Sequence, residues 1–259
     1  MTGAPSDSLD YIQQAMPRTV ATIEARMTST RLPGKVLKEA VGKPMLELMI
    51  ERLRRVPSLD GIVVATTTNA TDDPVEALAR RLGVGVWRGS EHDVLQRVLD
   101  AARHHQIDVI VETTGDCPLI DPALVEDCIR THRSTKVDYV SNILERGYPI
   151  GMDTQVFATS VLADVARRTD DPNDHEHVSL YIYRRPEIYS LRNVPAPPAL
   201  KRPDLALTLD TPEDYDLIKS VFEALYPQNP AFTLADVLAF LDRRPEIAAM
   251  NSHVRRKKV

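Results

Sequence analysis

The 259-residue sequence predicts an α/β fold, a doubly wound and mostly parallel sheet with a smaller mixed α+β part. Three observations carry this. Short continuous apolar runs, IVVA at 62–65 and VIV at 109–111 among them, alternate with amphipathic stretches through the first 135 residues. Strands that are apolar on both faces belong to parallel sheets covered by helices on each side. The later sequence is more mixed. The composition, 43% hydrophobic and 27% charged, is that of a globular chain and excludes disorder as the main state.

Taken in order, residues 1–17 are polar, end in Pro17 and read as a flexible extension. A β-rich run at 19–23 is followed by a loop at 25–35, built from Arg, Ser, Thr, Pro and Gly. Pro44 suits a first helical turn, and Met45, Leu46, Met49, Ile50 and Leu53 recur after it at helical spacing. A strand at 61–66 leads to Asp72-Asp73 and a helix that stops at Gly83. A short strand at 84–87 and a helix at 92–105, with Val94, Leu95, Val98 and Ala101 on one face, come next. The fourth strand, 109–112, runs into the loop TGDCPLI, after which Asp121 caps a helix opened by Pro122. The second half predicts strands at 137–140, 153–157, 188–194 and 205–209. Its helices fall at 158–168, 174–184, 211–225 and 233–243, with a proline-rich connection at 195–203.

The formal net charge of −5 argues against broad nucleic-acid binding, which needs clustered positive charge. The one dense basic run, Arg255-Arg256-Lys257-Lys258, reads as a solvated tail. Cys117 and Cys128 form no CxxC, so neither a zinc motif nor a disulfide scaffold is expected. No apolar run resembles a signal peptide or a membrane span, and a cytoplasmic protein with no membrane partner is expected.

Open α/β sheets bind ligands beyond the carboxyl ends of their strands. That rule gathers the loops 25–35, 66–72 and 113–118 at one rim. The first carries Arg26, Arg31 and Lys35 among small hydroxyls and a glycine, a combination suited to a polyphosphate. It is not a Walker A loop, because Val36 follows Gly34-Lys35 and no glycine lies five residues before Gly34. The glycines at 83, 85 and 89 do not make a dinucleotide fingerprint. Asp116 and Asp210 end separate predicted strands. Two such carboxylates can hold Mg²⁺ against phosphates, and a turn or capping role is the competing reading for each.

The segment ARMTSTRLPGK at 25–35 resembles the N-terminal signature of the sugar cytidylyltransferases, the group of the CMP-Kdo and CMP-sialic acid synthetases. GDCPLID at 115–121 and LDTPEDYDLI at 209–218 resemble later motifs of that group. VVATTTNATDDPVEALARRLG and GSEHDVLQR resemble the SpsF-like spore coat polysaccharide subgroup. The resemblance implies a Rossmann-like nucleotidyltransferase fold. It implies transfer of CMP from CTP to an acceptor with release of pyrophosphate, Mg²⁺ as cofactor, and a homodimer. Ala25, Arg26, Arg31 and Lys35 would meet the CTP phosphates, with Arg26 and Lys35 catalytic. Thr67 and Arg88 would approach the cytosine, Thr114 stands where several relatives carry Gln, and Asp116 and Asp210 would be the metal ligands. Residues 18–245 would form one domain: a CTP-binding half (18–135), an acceptor and dimerisation part (136–203) and a return to the core (204–245), followed by a tail at 246–259.

GMDTQVF at 151–157 and DHEHV at 174–178 resemble acceptor segments of the same subgroup, so Asp153, Gln155, Glu176 and His177 are candidate acceptor contacts. Gln155 stands where that subgroup often carries Glu. His175 and His177, two apart, would diverge on a helix and make a poor metal pair. The acceptor is expected to be an acidic sugar or a phosphorylated small molecule. The alternatives are a nucleotidyltransferase for another nucleoside triphosphate and an inactive nucleotide-binding regulator. A glycosyltransferase using Asp214-x-Asp216 would need those acids outside a helix.

Overall fold

The computed structural model describes residues 16–256. The sequence expectation for the N-terminal extension therefore lies, but for its last two residues, outside the described part, as do Lys257 and Lys258. Strand β1 (Thr19–Glu24) leads through the 25–35 loop to a two-stranded hairpin, β2 (Glu39–Ala40) and β3 (Lys43–Pro44). Then come α1 (Met45–Leu53), β4 (Gly61–Thr67), α2 (Asp73–Arg81), β5 (Gly85–Gly89), α3 (Val94–His104), β6 (Val109–Thr114) and α4 (Pro122–Thr135). The second half holds β7 (Tyr139–Ser141), β8 (Gln155–Ala158), α5 (Thr159–Arg168), α6 (Pro172–Glu176), α7 (Leu180–Tyr183) and β9 (Leu191–Asn193). It closes with α8 (Pro212–Leu225), α9 (Leu234–Arg243) and α10 (Pro245–Ala248).

Seven strands form one sheet in the order β5-β4-β1-β6-β8-β7-β9. β5, β4, β1 and β6 run parallel, β8 is antiparallel to both β6 and β7, and β7 pairs parallel with β9. The chain leaves β1 toward β4 and β5, then returns to the other side of β1 for β6. The strand order therefore reverses between β1 and β6, the position where such sheets open a ligand crevice.

Alternation along the strands divides the core. Ala21, Ile23, Val64, Val111 and Val156 face one layer with α1 and α4, while Val20, Val63, Ile110 and Phe157 face the other with α3 and α5. The periodic residues of α1, Leu46, Met49, Ile50 and Leu53, are all buried in the first layer.

Two expected elements differ. The stretch 174–184 is not one helix. Asp171 caps α6 at its start, Pro172 opens it, and His177 leaves helical geometry, so α6 and α7 are separate short turns. The break keeps Glu176 and His177 exposed while Val178, Ser179 and Leu180 are buried. The stretch 205–209 joins the sheet by no ladder. Its amides divide between two directions, Leu207 N–H donating to Ile150 (2.7 Å) and Leu209 N–H to Asp116 (2.8 Å), with one isolated bridge between Ile150 and Ala206. It crosses behind the rim and delivers Asp210 there.

Candidate active site

The 25–35 loop is pinned at both ends by its apolar residues. Ala25, Leu32 and Val36 are buried in the first core layer, and Gly34 N–H closes the loop on the Met27 carbonyl at 3.0 Å. Gly34 has φ +68°, a left-handed backbone that suits glycine. Asp72, fully buried, latches this loop to the neighbouring one. It accepts from Met27 N–H (2.7 Å), from Thr67 N–H (3.2 Å) and from the Thr67 hydroxyl. Asp72 precedes α2, yet its side chain makes no capping hydrogen bond to that helix.

The loop's three cations are thereby held over the crevice. Lys35 Nζ donates to Asp116 (3.1 Å) and to Asp210 (2.9 Å), and Arg31 pairs with Asp210 at 3.1 Å. The two carboxylates come from separate loops, one after β6 and one before α8, and converge on one ammonium. Burial works against the charge on Lys35, but Asp116 and Asp210 outweigh it and hold its pKa above the ordinary value. For Asp116 burial is outweighed by Lys35 and by a hydrogen bond from the Thr114 hydroxyl, so its carboxyl sits below the usual range. Gly115 lets the backbone pack closely beside it, since a Cβ there would lie 3.1 Å from the Glu24 carbonyl oxygen.

Asp210 is steadied from behind. Asp214, fully buried, accepts from the backbone N–H groups of Asp210 (3.1 Å) and Thr211 (3.0 Å) while forming the capping box of α8. Its other donors come from the C-terminal segment, Asn251 Nδ2 at 2.6 Å and Arg256 Nη2 at 2.6 Å. Arg256 thus departs from the solvated tail expected for 255–258, because a buried carboxylate needs a cation more than the guanidinium needs bulk water.

Among the described residues Arg26 reaches only Glu91, at 3.4 Å, and its side chain is 42% exposed. Glu91 also accepts from the Thr28 hydroxyl (2.7 Å) and from Asn69 Nδ2 (2.6 Å). Thr67 and Arg88 are engaged elsewhere. The Arg88 guanidinium binds the Thr67 and Asn69 carbonyls and the carboxylates of Asp73 and Glu76, and so braces the loop after β4. Thr114 is exposed at the rim.

On the other flank Arg146 grips Asp153 with two bonds of 3.0 Å each. Gln155 is half-buried on β8, opposite Glu112 of β6 and Ser141 of β7. Glu176 and His177 are exposed at the end of α6 and make no side-chain hydrogen bond among the described residues. His175 turns inward instead. The Thr169 carbonyl (2.9 Å) and the Asp93 carboxylate (2.8 Å) both receive its ring nitrogens, and together they raise its pKa against burial. The structure thus joins Arg31, Lys35, Asp116 and Asp210 directly, with Arg26 and Thr114 at the same rim. The roles of Asp72, Glu91, Asp214 and Arg256 escaped the sequence reading, because the contacts that decide them, Met27 with Asp72, Thr28 with Glu91 and Arg256 with Asp214, join residues far apart in the chain.

The donor set can be tested for a cation. The ammonium of Lys35 already lies about 3 Å from a carboxylate oxygen of each aspartate. Two convergent carboxylates suit a hard divalent ion that takes its remaining oxygens from phosphates and water. No cluster of three or more His, Cys, Asp or Glu side chains offers a self-sufficient metal cage among the described residues. No helix among them is long and apolar enough to cross a membrane.

A family model described as cytidylyltransferase matches residues 20–236. The spore coat polysaccharide biosynthesis protein SpsF of Bacillus subtilis is 35% identical over 231 residues, which cover 87% of this chain and 95% of that protein. The 3-deoxy-manno-octulosonate cytidylyltransferase of Geobacter metallireducens is 28% identical over 193 residues, 65% of this chain and 75% of its own. Among solved structures, a cytidylyltransferase from Leptospira borgpetersenii superposes with a TM-score of 0.85 at 31% identity, covering 94% of this chain and 100% of the other.

Proposed function

The chain belongs to the cytidylyltransferase family, and on that premise we propose that it transfers CMP from CTP to a small sugar-like acceptor for a surface glycan, using Mg²⁺. The observation that carries this reading is the convergence of Arg31 and Lys35, from the loop after β1, on Asp116 and Asp210 at the strand-order reversal. Arg26, exposed at the same rim, completes a cationic arc for a triphosphate.

In this mechanism an acceptor oxygen forms a bond to the α-phosphorus in line, and the bond to the departing pyrophosphate breaks. Asp116 and Asp210 would hold the metal, which when bound neutralises phosphate charge. Lys35, released from the two carboxylates as nucleotide enters, stays close enough to follow the charge onto the pyrophosphate. Arg26 and Arg31 bind and orient the phosphates, so this chain contributes positioning and neutralisation. Thr67 and Arg88 shape the loop on the base side. Asp153, Gln155, Glu176 and His177 belong to the acceptor flank. A homodimer through 137–160 and 173–194 is part of the same reading, supported by β9 ending the sheet on that side; a monomer mass at micromolar concentration overturns it.

The test is pyrophosphate release with Mg²⁺ and each of CTP, UTP, ATP and GTP against an acceptor panel. CTP-selective release is expected. Release with another triphosphate keeps the phosphate site and overturns the base. CTP binding with no release by any acceptor favours a nucleotide-binding regulator.

A further inference from the structure

Three loops meet at the rim on one carboxylate. The loop after β1 brings Arg26 and Thr28, the loop after β4 brings Asn69, and the loop after β5 brings Glu91. One oxygen of Glu91 accepts from the Thr28 hydroxyl (2.7 Å) and lies 3.4 Å from Arg26 Nη1, while the other accepts from Asn69 Nδ2 (2.6 Å). The hydrogen bonds from Thr28 and Asn69, with the Arg26 charge adding to them, hold the Glu91 carboxyl below the usual range, so it meets these donors ionised.

Two of the three loops are anchored behind this carboxylate. Asn69 donates its backbone N–H to the Thr67 hydroxyl (3.2 Å), and its carbonyl accepts from Arg88 Nη2 (2.7 Å). The carbonyls of Ser90 and Glu91 accept from Nη1 of Arg97, a buried side chain of α3. The loop after β1 is pinned through the Met27 N–H to Asp72. Arg26 and Thr28, on either side of Met27, are exposed, and Glu91 is their one side-chain partner among the described residues.

A carboxylate placed this way can act in two senses, and they differ in sign. A counter-ion that occupies Arg26 competes with phosphate, so its removal tightens an anion. A tie that holds the Arg26 segment in place loosens the anion when it is cut, even though a negative charge leaves with it. The distances decide between them. The contacts to Thr28 and Asn69 are short, whereas the one to Arg26 is long, on a guanidinium that is largely in solvent, and such a surface pair contributes little. We propose that Glu91 is a positioning residue for the triphosphate: it ties Thr28 to Asn69 and so fixes the segment from which Arg26 reaches phosphate, without itself touching the nucleotide. The inference rests on the cytidylyltransferase reading and adds a residue to its phosphate site.

The experiment measures CTP affinity with Mg²⁺ by calorimetry, beside thermal unfolding, for wild type, Glu91→Ala, Glu91→Gln, Thr28→Val and the Glu91→Ala/Thr28→Val pair. Glu91→Ala is expected to weaken CTP by about tenfold, the opposite of what loss of a negative charge beside phosphate does alone. Glu91→Gln keeps an acceptor for Thr28 and is expected to recover part of that loss. Thr28→Val removes an exposed hydroxyl without a charge change. It is expected to weaken CTP by a smaller factor, and it carries the test if a Glu91 variant fails to fold. The pair is expected to bind no more weakly than Glu91→Ala, because both changes cut the same tie. Tighter CTP in Glu91→Ala makes the carboxylate a competitor for Arg26 and overturns the proposal alone. So does unchanged CTP affinity in the folded variants, whatever their melting temperatures, or full additivity in the pair. A wild type that does not bind CTP overturns the underlying reading and the proposal with it.

Discussion

Near one rim, the flank under the 25–35 loop holds its charges in pairs, whereas the wall formed by β1, β6 and α3 keeps several buried polar groups without partners among the described residues. Lys35, Asp116, Asp210 and Arg31 form a continuous chain of ion pairs. Thr22, Glu24, Arg97 and Glu112 each leave one inner atom unmatched. The difference teaches what each flank asks of the folded state. On the flank under the 25–35 loop every inner charge already has an opposite charge beside it, so an anion or cation entering there would exchange existing pairs for new ones. On the wall the unmatched atoms are enclosed by the protein itself, so their cost falls on the folded state and shows as a pH dependence of stability.

The most severe way to break the comparison is to remove a carboxylate from the paired flank. Asp116→Asn and Asp210→Asn each keep shape and lose the charge that Lys35 or a metal needs. Turnover is expected to fall by at least about 10²-fold for each, with CTP still bound through Arg26 and Arg31 and the melting temperature close to wild type. Near-normal pyrophosphate release by either variant removes that residue from the metal-holding role.

A lesser effect is expected one layer back, at Arg256. It touches no substrate, but it charges the carboxylate that fixes the backbone N–H of Asp210. Partners at this remove from a metal typically change affinity or activity by about 10–100-fold. Arg256→Gln is expected to raise the Mg²⁺ concentration for half-maximal rate by about tenfold, with Arg256→Lys recovering part of the loss. A variant that only lowers thermal stability, with metal dependence unmoved, makes Arg256 a structural clasp and nothing more.

The same contrast explains what could be read from sequence. The fold was legible where the pattern is local: apolar runs set the parallel strands, and Pro122, Pro212 and the Thr211 and Thr233 caps set helix starts. The gathering of Arg26, Arg31 and Lys35 at one rim was legible because they lie within ten residues and strand ends gather the loops. The 174–184 helix was misread because no local signal marks the break at His177, which is set by which residues the second core layer accepts. Asp214 looks like an ordinary first-turn acid, and only Asn251 and Arg256, some forty residues on, show it to be a buried anchor. Glu24 and Glu112 fall at pleat positions of two apolar strands 88 residues apart, so their meeting is a product of register alone.

The mildest measurement sharpens the comparison through pH. Burial holds the Glu112 carboxyl at about 7 in the folded chain against an ordinary value of 4.5. The native state therefore binds more protons than the unfolded one between these values, and linkage makes stability fall as pH rises through that window. Asp116 and Asp214 act in the opposite sense. Their carboxyls are held below the ordinary 3.8, so the stability they contribute is lost only as pH falls below that value. Urea midpoints for wild type are expected to decline from pH 5 to pH 8. In Glu112→Gln, which carries no titrating group there, the decline is shallower, with the residual slope coming from Glu24, whose pKa is raised by the same burial and by its neighbour. The acid limb below pH 4 is expected to coincide in the two proteins, since the paired flank is untouched. Parallel curves from pH 5 to 8 would mean that Glu112 is ionised and satisfied in the empty enzyme, which would erase the distinction between the two flanks.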